Sequence, residues 1–292
     1  MLSKELLRQV KKIEIRTRRI VDDITAGAYH SVFKGRGIEF DEVREYTPED
    51  DVRDIDWNVT ARMNTPFIKK YIEERELTVM LAVDISASFR YGSGDKTKER
   101  YATEIAALLA FSAIRNNDRV GLMLFTDQTE FYLPPKSGKR HGLRLIRELM
   151  VQQPKSNGTD ISQALNNLMS MLHKKTVIFL ISDFIDSSDY SKLLTVANKR
   201  HDIIATRILD PLETKFAKTA NILIEDAETG EMMQFRGKSS AALRRFNKSS
   251  EIIHEKNRKI FNRAKVDLID FKCGDDILKP LVKFFKKRQS HN

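Results

Sequence analysis

The sequence predicts an α/β protein: a doubly wound, mostly parallel sheet preceded by a small irregular N-terminal module. Three observations carry this. From Leu77 onward, short apolar runs alternate with stretches of helical periodicity. Several runs, among them LTVMLAV (77–83) and TVIFLIS (176–182), are apolar nearly throughout rather than at alternate positions, as strands covered on both faces are. Residues 30–75 follow neither period; they are rich in charge and aromatic rings, with Gly35, Gly37, Pro48 and Pro66 as punctuation.

Taken in order, Leu2, Leu6, Val10 and Ile13 share one helical face, which predicts an amphipathic helix over residues 3–20. After Ala26-Gly27 the irregular module begins, with short strands, packed beside the main domain. The expected division is therefore 1–75 and 76–292. The main domain opens with strand 77–83 and a helix over 96–115 containing AALLAFSAI. RVGLMLF (119–125) is the second strand and 130–133 a short third, followed by helices over 139–150 and 159–172. TVIFLIS is the next strand, then a helix over 188–200 and the strand DIIATRIL (202–209). Residues 221–235 read as a hairpin turning at Glu228-Thr229-Gly230-Glu231, and a charged helix continues to about 263. VDLIDF (266–271) is a last strand and Asp275–Arg288 a terminal helix.

Composition narrows the classes of function. The 292 residues hold 51 Lys and Arg against 41 Asp and Glu, a net charge of +10 spread along the chain. A nucleic-acid reader would focus that charge on one face and carry a recognisable motif, so nucleic acid is not an expected partner. Cys273 is the sole cysteine, which rules out an intramolecular disulfide and fits a reducing compartment. The N-terminus lacks an apolar signal core, and no run approaches the roughly 20 apolar residues of a membrane span. The expectation is a soluble, cytoplasmic protein without a transmembrane segment.

Residues 79–88, VMLAVDISAS, bring Asp84, Ser86 and Ser88 to the point where a buried strand leaves the sheet. One carboxylate and two hydroxyls at alternate positions suit a small divalent cation such as Mg²⁺, which prefers oxygen and keeps some of its waters. Asn157-Gly158-Thr159-Asp160 opens a helical pattern, and Leu180-Ile181-Ser182-Asp183 closes an apolar run, so Thr159 and Asp183 complete the set. In doubly wound sheets, ligands bind beyond the carboxyl ends of the strands, where strand order reverses. A shell with few charges leaves the ion electron-poor, with a position open for an Asp or Glu of a partner. Singly, each residue also has a structural role open to it. Ser and Thr at strand ends cap helices, Asp183 can cap the helix after residue 187, and Thr159-Asp160 is an N-cap signal. Together, the DxSxS, Thr and Asp segments resemble the metal-ion-dependent adhesion site of von Willebrand factor A domains. The resemblance implies Mg²⁺, with Mn²⁺ or Ca²⁺ as alternatives, bound directly by Ser86, Ser88 and Thr159 and through water by Asp84 and Asp183.

Residues 35–64 carry a second pattern. Glu39, Glu42, Arg44, Tyr46, Asp50, Asp51, Arg53, Asp54, Asp56 and Arg62 surround Ile38, Phe40, Val52, Ile55 and the single Trp57. This predicts an ion-pair lattice around a small apolar centre, docked on the neighbouring domain; the competing role is a second recognition surface. The string GxEFxxxREYxPxDDxRxIDWxxTAR, followed by PFIKKYIEERELTVMLAVDISAS, closely resembles the bacterial domain-of-unknown-function fifty-eight family over about residues 20–210. That resemblance implies a von Willebrand A-like fold encoded beside MoxR-type AAA+ ATPases. It also implies a non-enzymatic partner or adaptor of the ATPase, acting on a client protein. Two departures stand out. The membrane helices or β-rich preamble of many relatives do not appear, and Phe89 follows DISAS where Met is frequent.

Rival chemistry is poorly supported. Asp84 resembles the nucleophile position of haloacid-dehalogenase-like phosphatases, but their general acid two residues on is here Ser86, and no downstream lysine stands in the expected setting. His30, His141, His173, His201, His254 and His291 read as surface residues with no motif linking them to Ser86. Neither GxxxxGK[ST] nor a strand-linked GxGxxG is present. In the terminal helix, Ile277, Leu278, Leu281, Val282, Phe284 and Phe285 alternate with Lys279, Lys283, Lys286, Lys287 and Arg288. Such a helix suits an anionic membrane or a partner's groove. The plainer reading, preferred here, is an edge helix of the sheet with solvated basic residues.

Overall fold

A computed structural model describes residues 39–48, 50–63, 65–72, 76–94, 96–186, 188–214, 221–225, 227, 230–236 and 238–290. The helix expected over residues 3–20 lies outside the described residues. The chain divides into two compact units, Phe33–Leu77 and a larger one that includes Thr78–Asn292.

In the smaller unit, β1 (Glu39–Glu45) pairs antiparallel with β2 (Phe67–Ile72) across a bulge between Phe40 and Glu42. Between them lie a 3₁₀ turn, Val52–Asp54, and the helix α1 (Trp57–Met63). Both are started by aspartates: Asp51 accepts from Arg53 N at 3.0 Å, and Asp56 accepts from Asn58 N at 2.9 Å. A bidentate pair, Arg44–Asp50 at 2.9 and 2.6 Å, closes the turn after β1. The guanidinium, with the Thr47 donors, holds the Asp50 carboxyl down at about 2. The expected apolar centre needs correction. Ile68 is buried and Ile55 half-buried, but Val52 and Trp57 are 57% and 68% exposed. A unit this short buries a smaller share of its surface than a full domain does.

The larger unit is built on β3 (Thr78–Asp84), β4 (Arg119–Phe125), β5 (Thr129–Lys136), β6 (Val177–Ser182), β7 (Asp202–Leu209) and β10 (Asp267–Lys272). They form one sheet in the order β10-β7-β6-β3-β4-β5, parallel throughout except for β5 against β4. The chain winds outward from β3 to β5, returns to the other side of β3, and winds out again through β6 and β7 to β10. Strand order thus reverses between β3 and β6, as expected of a doubly wound α/β fold.

Helices cover both faces. α2 (Lys98–Arg115) and α3 (Lys139–Val151) follow β3 and β5; α4 (Ile161–Met171) and α5 (Ser191–Arg200) flank β6. After β7 come the single turn α6 (Pro211–Thr214) and the hairpin β8 (Asn221–Glu225) and β9 (Met232–Arg236). α7 (Ser240–Ala264) leads into β10, and α8 (Leu278–Gln289) follows it. Met80, Ala82, Phe125, Ile178, Leu180 and Ala205 face one side, against Leu165 and Leu168 of α4, Leu194 of α5 and Phe261 of α7. Because strand side chains alternate, Val79, Leu81 and Val83 turn to the opposite side, where α2 packs on β3 and β4. Burial on both sides explains why these strands read as unbroken apolar runs.

Three features depart from the sequence reading. β5 runs through Pro134 and Pro135 to Lys136, longer than 130–133. An edge strand tolerates prolines, and the β4–β5 register shifts where they fall. Opposite them, Gly121 fits closely: a Cβ there would sit 2.7 Å from Met80 Cε, 2.9 Å from Pro135 Cγ and 3.0 Å from the Leu133 carbonyl oxygen, so these neighbours would have to shift. His201 is buried rather than on the surface. Arg288 is not solvated, since it donates to Asp267 at 2.7 Å and to Asp202 at 2.8 and 2.6 Å. Those two aspartates begin β10 and β7, so α8 is clamped across the sheet's lower end, with Leu281, Phe284 and Phe285 buried. A fully buried cation, Arg207 on β7, pairs with Asp270 on β10 at 2.8 and 3.1 Å.

Candidate metal centre

The reversal point between β3 and β6 is where two strands deliver carboxylates side by side. Val83 pairs with Ile181, so the strands end level and Asp84 lies next to Ser182. One carboxylate oxygen of Asp84 accepts from Ser86 N at 2.9 Å, and the other from the Ser182 hydroxyl at 2.8 Å. The first bond is an Asx turn that ends the strand and starts a 3₁₀ turn, Ala87–Arg90. It brings Ser86 Oγ within 3.1 Å of Ser88 Oγ, and Ser88 Oγ donates to Asp183 Oδ2 at 3.0 Å. Asp84, Ser86 and Asp183 are fully buried, and Ser88 is half-buried at the mouth.

Asp183 is aimed by its neighbour. Phe184 has φ 58°, the left-handed region that costs a residue with a Cβ roughly 1–2 kcal/mol. The ring packs edge-on against Phe261 with centroids 4.9 Å apart, and Asn257 donates to the Phe184 carbonyl at 2.8 Å. These contacts hold a turn that sends Phe184 into the core and leaves Asp183 at the rim. The second oxygen of Asp183 accepts from Ile185 N at 3.1 Å. Asp183 is therefore no helix cap.

Of the five predicted ligands, the structure joins Asp84, Ser86, Ser88 and Asp183 through one connected set of hydrogen bonds around Ser182. Thr159 is half-buried, on a loop that is tied to the end of β3 two residues earlier. Ala87 N donates to the Asn157 carbonyl at 3.0 Å, and Asp160 N to the Thr126 carbonyl at 3.2 Å. Glu130 gathers the same loop by accepting from Lys155 N and Ser156 N at 3.0 and 3.1 Å. The capping role falls to Asp160, which accepts from Gln163 N at 2.8 Å.

Three participants were not foreseen: Ser182, Glu213 and above all Lys98. Lys98 is fully buried, with Nζ 2.8 Å from Asp183 Oδ2 and 2.6 Å from Glu213 Oε1. Burial works against its charge, but Asp183 and Glu213 outweigh that and push its pKa above the usual lysine value. A signal did exist: a lysine in the first turn of a helix opposes the macrodipole, which favours acids there.

The donor set fits a small hard cation. Octahedral oxygens at about 2.0–2.1 Å from Mg²⁺ stand roughly 2.9 Å apart along each edge. The 3.1 and 3.0 Å separations in the run Ser86 Oγ, Ser88 Oγ, Asp183 Oδ2 are close to that edge, a spacing that would let Asp183 bind directly rather than through the water the resemblance implies. Charge agrees with geometry. Burial, reinforced by the charge of Asp183, pushes the Asp84 carboxyl up to about 7, so ionising both carboxyl groups in this pocket is costly and a bound cation would offset that cost. Among the described residues, no three His, Cys, Asp or Glu side chains form a metal-binding group, so hydroxyls have to supply part of any shell. The arrangement is poor for nucleophilic attack by Asp84, which is sealed from solvent with both oxygens engaged.

The family model described as "Protein of unknown function DUF58" matches residues 42–256. The chain belongs to the DUF58 family. The match begins within β1, past its bulge, and runs through the sheet strands β3 to β7 into α7. Among the relatives of this DUF58 chain, an uncharacterized protein of Mycobacterium bovis, Mb1516, is 28% identical over 233 residues, covering 79% of this chain and 74% of its own. An uncharacterized protein of Mycobacterium avium is 22% identical over 160 residues, 54% of this chain and 94% of its own. Among solved structures, the conserved hypothetical protein BatB from Bacteroides thetaiotaomicron aligns over 74% of this chain and 100% of its own, at 16% identity and TM-score 0.49. The VWA domain of SpRpn10 aligns over 72% and 95%, at 14% identity and TM-score 0.39. Among the described residues, no helix is long and apolar enough to cross a membrane.

Proposed function

We propose that this DUF58 protein is a non-enzymatic, metal-dependent protein-interaction module. Asp84, Ser86, Ser88, Thr159 and Asp183 would hold Mg²⁺, with Mn²⁺ or Ca²⁺ as alternatives. The observation that supports this most is the row of Ser86, Ser88 and Asp183 oxygens at cation-shell spacing, at the point where strand order reverses. When bound, the cation would supply Lewis acidity and an open corner for an acidic side chain of a partner. The chain's own residues do the positioning. Ser182 and the Ser86 amide fix Asp84, the left-handed turn at Phe184 fixes Asp183, and the Glu130-gathered loop presents Thr159. The resemblance to proteins encoded beside MoxR-type AAA+ ATPases supports such an ATPase as partner, with a client protein held at the rim. Division of labour between residues 1–75 and 76–292 belongs to the same reading.

Calorimetric titration of the full chain with Mg²⁺ and Mn²⁺ tests it. Saturable binding that disappears in Asp84→Ala supports the site. Phosphatase turnover abolished by the same change would replace this reading with the hydrolytic one. Binding to anionic vesicles that ignores Asp84 and fades with salt would point to the basic surface instead.

A further inference from the structure

The lysine buried at the metal centre is itself a cation, and it occupies an oxygen that the proposed ion would need. Lys98 Nζ and Ser88 Oγ both lie against Asp183 Oδ2, at 2.8 and 3.0 Å. The ammonium is not free to leave. It is fully buried, its Cα stands at the capped start of α2, and its main-chain N donates to the Tyr91 carbonyl at 3.0 Å. Its other partner, Glu213, comes from α6, beyond the end of β7, and accepts from Asp210 N at 3.3 Å through its second oxygen. Lys98 thus spans the rim from the end of β6 to the end of β7.

Lys98 sets one positive charge against the buried carboxyl groups of Asp84, Asp183 and Asp210 and the partly buried Glu213. Without the ammonium the rim would carry one more net negative charge, which favours a divalent ion. Resting on the adhesion-type reading above, we propose that Lys98 is a resident counter-ion that competes with the divalent cation for Asp183 and so keeps the site's affinity low, while Glu213 draws the ammonium aside. Low affinity makes occupancy depend on a carboxylate arriving from the partner, because that ligand adds the charge the ammonium cancels. Lys98 is thus a positioning and tuning residue and does not touch the partner.

The two flanking variants move in opposite directions, which a merely structural role would not produce. With Mn²⁺ alone as probe and calorimetry on the full chain, Lys98→Met binds at least tenfold more tightly than wild type. Glu213→Gln binds several-fold more weakly, because the ammonium then rests wholly on Asp183. Equal or weaker binding by Lys98→Met, with wild-type circular dichroism, overturns the inference and leaves the adhesion-type reading standing. If Lys98→Met fails to fold, Glu213→Gln decides alone: the Glu213 side chain is partly exposed to solvent, and unchanged or tighter binding refutes the idea. Absence of saturable Mn²⁺ uptake in wild type and Lys98→Met alike sinks the adhesion-type reading, and this inference with it. Uptake by Lys98→Met where wild type shows none is the strongest result in favour.

Discussion

Replacing Asp84 by Asn should make the protein more stable in chelator, although it removes the centre of the site. In the folded chain the Asp84 carboxyl is raised from 3.8 to about 7, chiefly by burial and next by the charge of Asp183. As pH rises from about 4, the unfolded chain gives up this proton first, so folded stability declines until the folded group has also ionised near 7 and stays low above it. The difference of about 3 pH units corresponds to about 4 kcal/mol at pH 8, at 1.36 kcal/mol per unit. The Asp84→Asn variant would avoid this cost. Its side-chain oxygen still accepts from Ser86 N, and its amide can donate to Ser182 Oγ, whose hydroxyl rotates to suit. For a domain of this size each kcal/mol moves the melting midpoint by roughly 2–4 °C, so a gain on the order of 10 °C is expected at pH 8. Thermal and urea unfolding at pH 5 and pH 8 in EDTA measure it. The variant should gain most at pH 8 and less than half as much, roughly 1.5 kcal/mol, at pH 5, where the unfolded carboxyl is already ionised, and added Mg²⁺ should stabilise wild type alone. An Asp84→Asn protein less stable than wild type at pH 8 in chelator would refute the claim that this carboxylate is held at a cost.

Other outcomes follow from packing and pairing. Gly121→Ala should lose about 1–3 kcal/mol in urea titration, because the added methyl meets Met80 and a fixed carbonyl oxygen of the edge strand. Asp270→Asn leaves the buried Arg207 guanidinium without its counter-charge and should cost about 3 kcal/mol; an unchanged urea midpoint would mean that the ion is solvated after all. Asn257→Ala strands the Phe184 carbonyl and the Tyr190 hydroxyl, which should lower stability by about 2 kcal/mol and weaken Mn²⁺ uptake through Asp183. Retention of full Mn²⁺ affinity in a destabilised Asn257→Ala would separate the turn from the site.

The fold was legible because sheet burial writes itself locally. β3, β4, β6 and β7 are covered on both faces, so each appears as an apolar run whatever its partners. Asp84, Ser86, Ser88 and Asp183 were legible for a related reason: they sit where those runs stop, and the winding order then brings two stops together. Lys98 and Glu213 were not, since they meet Asp183 and Lys98 across 85 and 115 positions, and no periodicity encodes that encounter. Arg288 likewise looked like one of several basic residues until the ends of β7 and β10 placed Asp202 and Asp267 around it. Trp57 was assigned to an interior on residue type alone, and the short unit that carries it leaves it exposed.

Adjacent prolines on the outermost strand have one more consequence. Pro134 and Pro135 both lack an amide hydrogen, which removes at most one donor from that border because successive N–H groups point to opposite sides, and the neighbouring bulge throws the remaining groups out of step. An extended peptide docking there would find gaps in the main-chain lattice it needs, so strand addition at this flank is disfavoured. A client held as proposed above would then be chosen by the chemistry of its side groups rather than by its willingness to become one more strand.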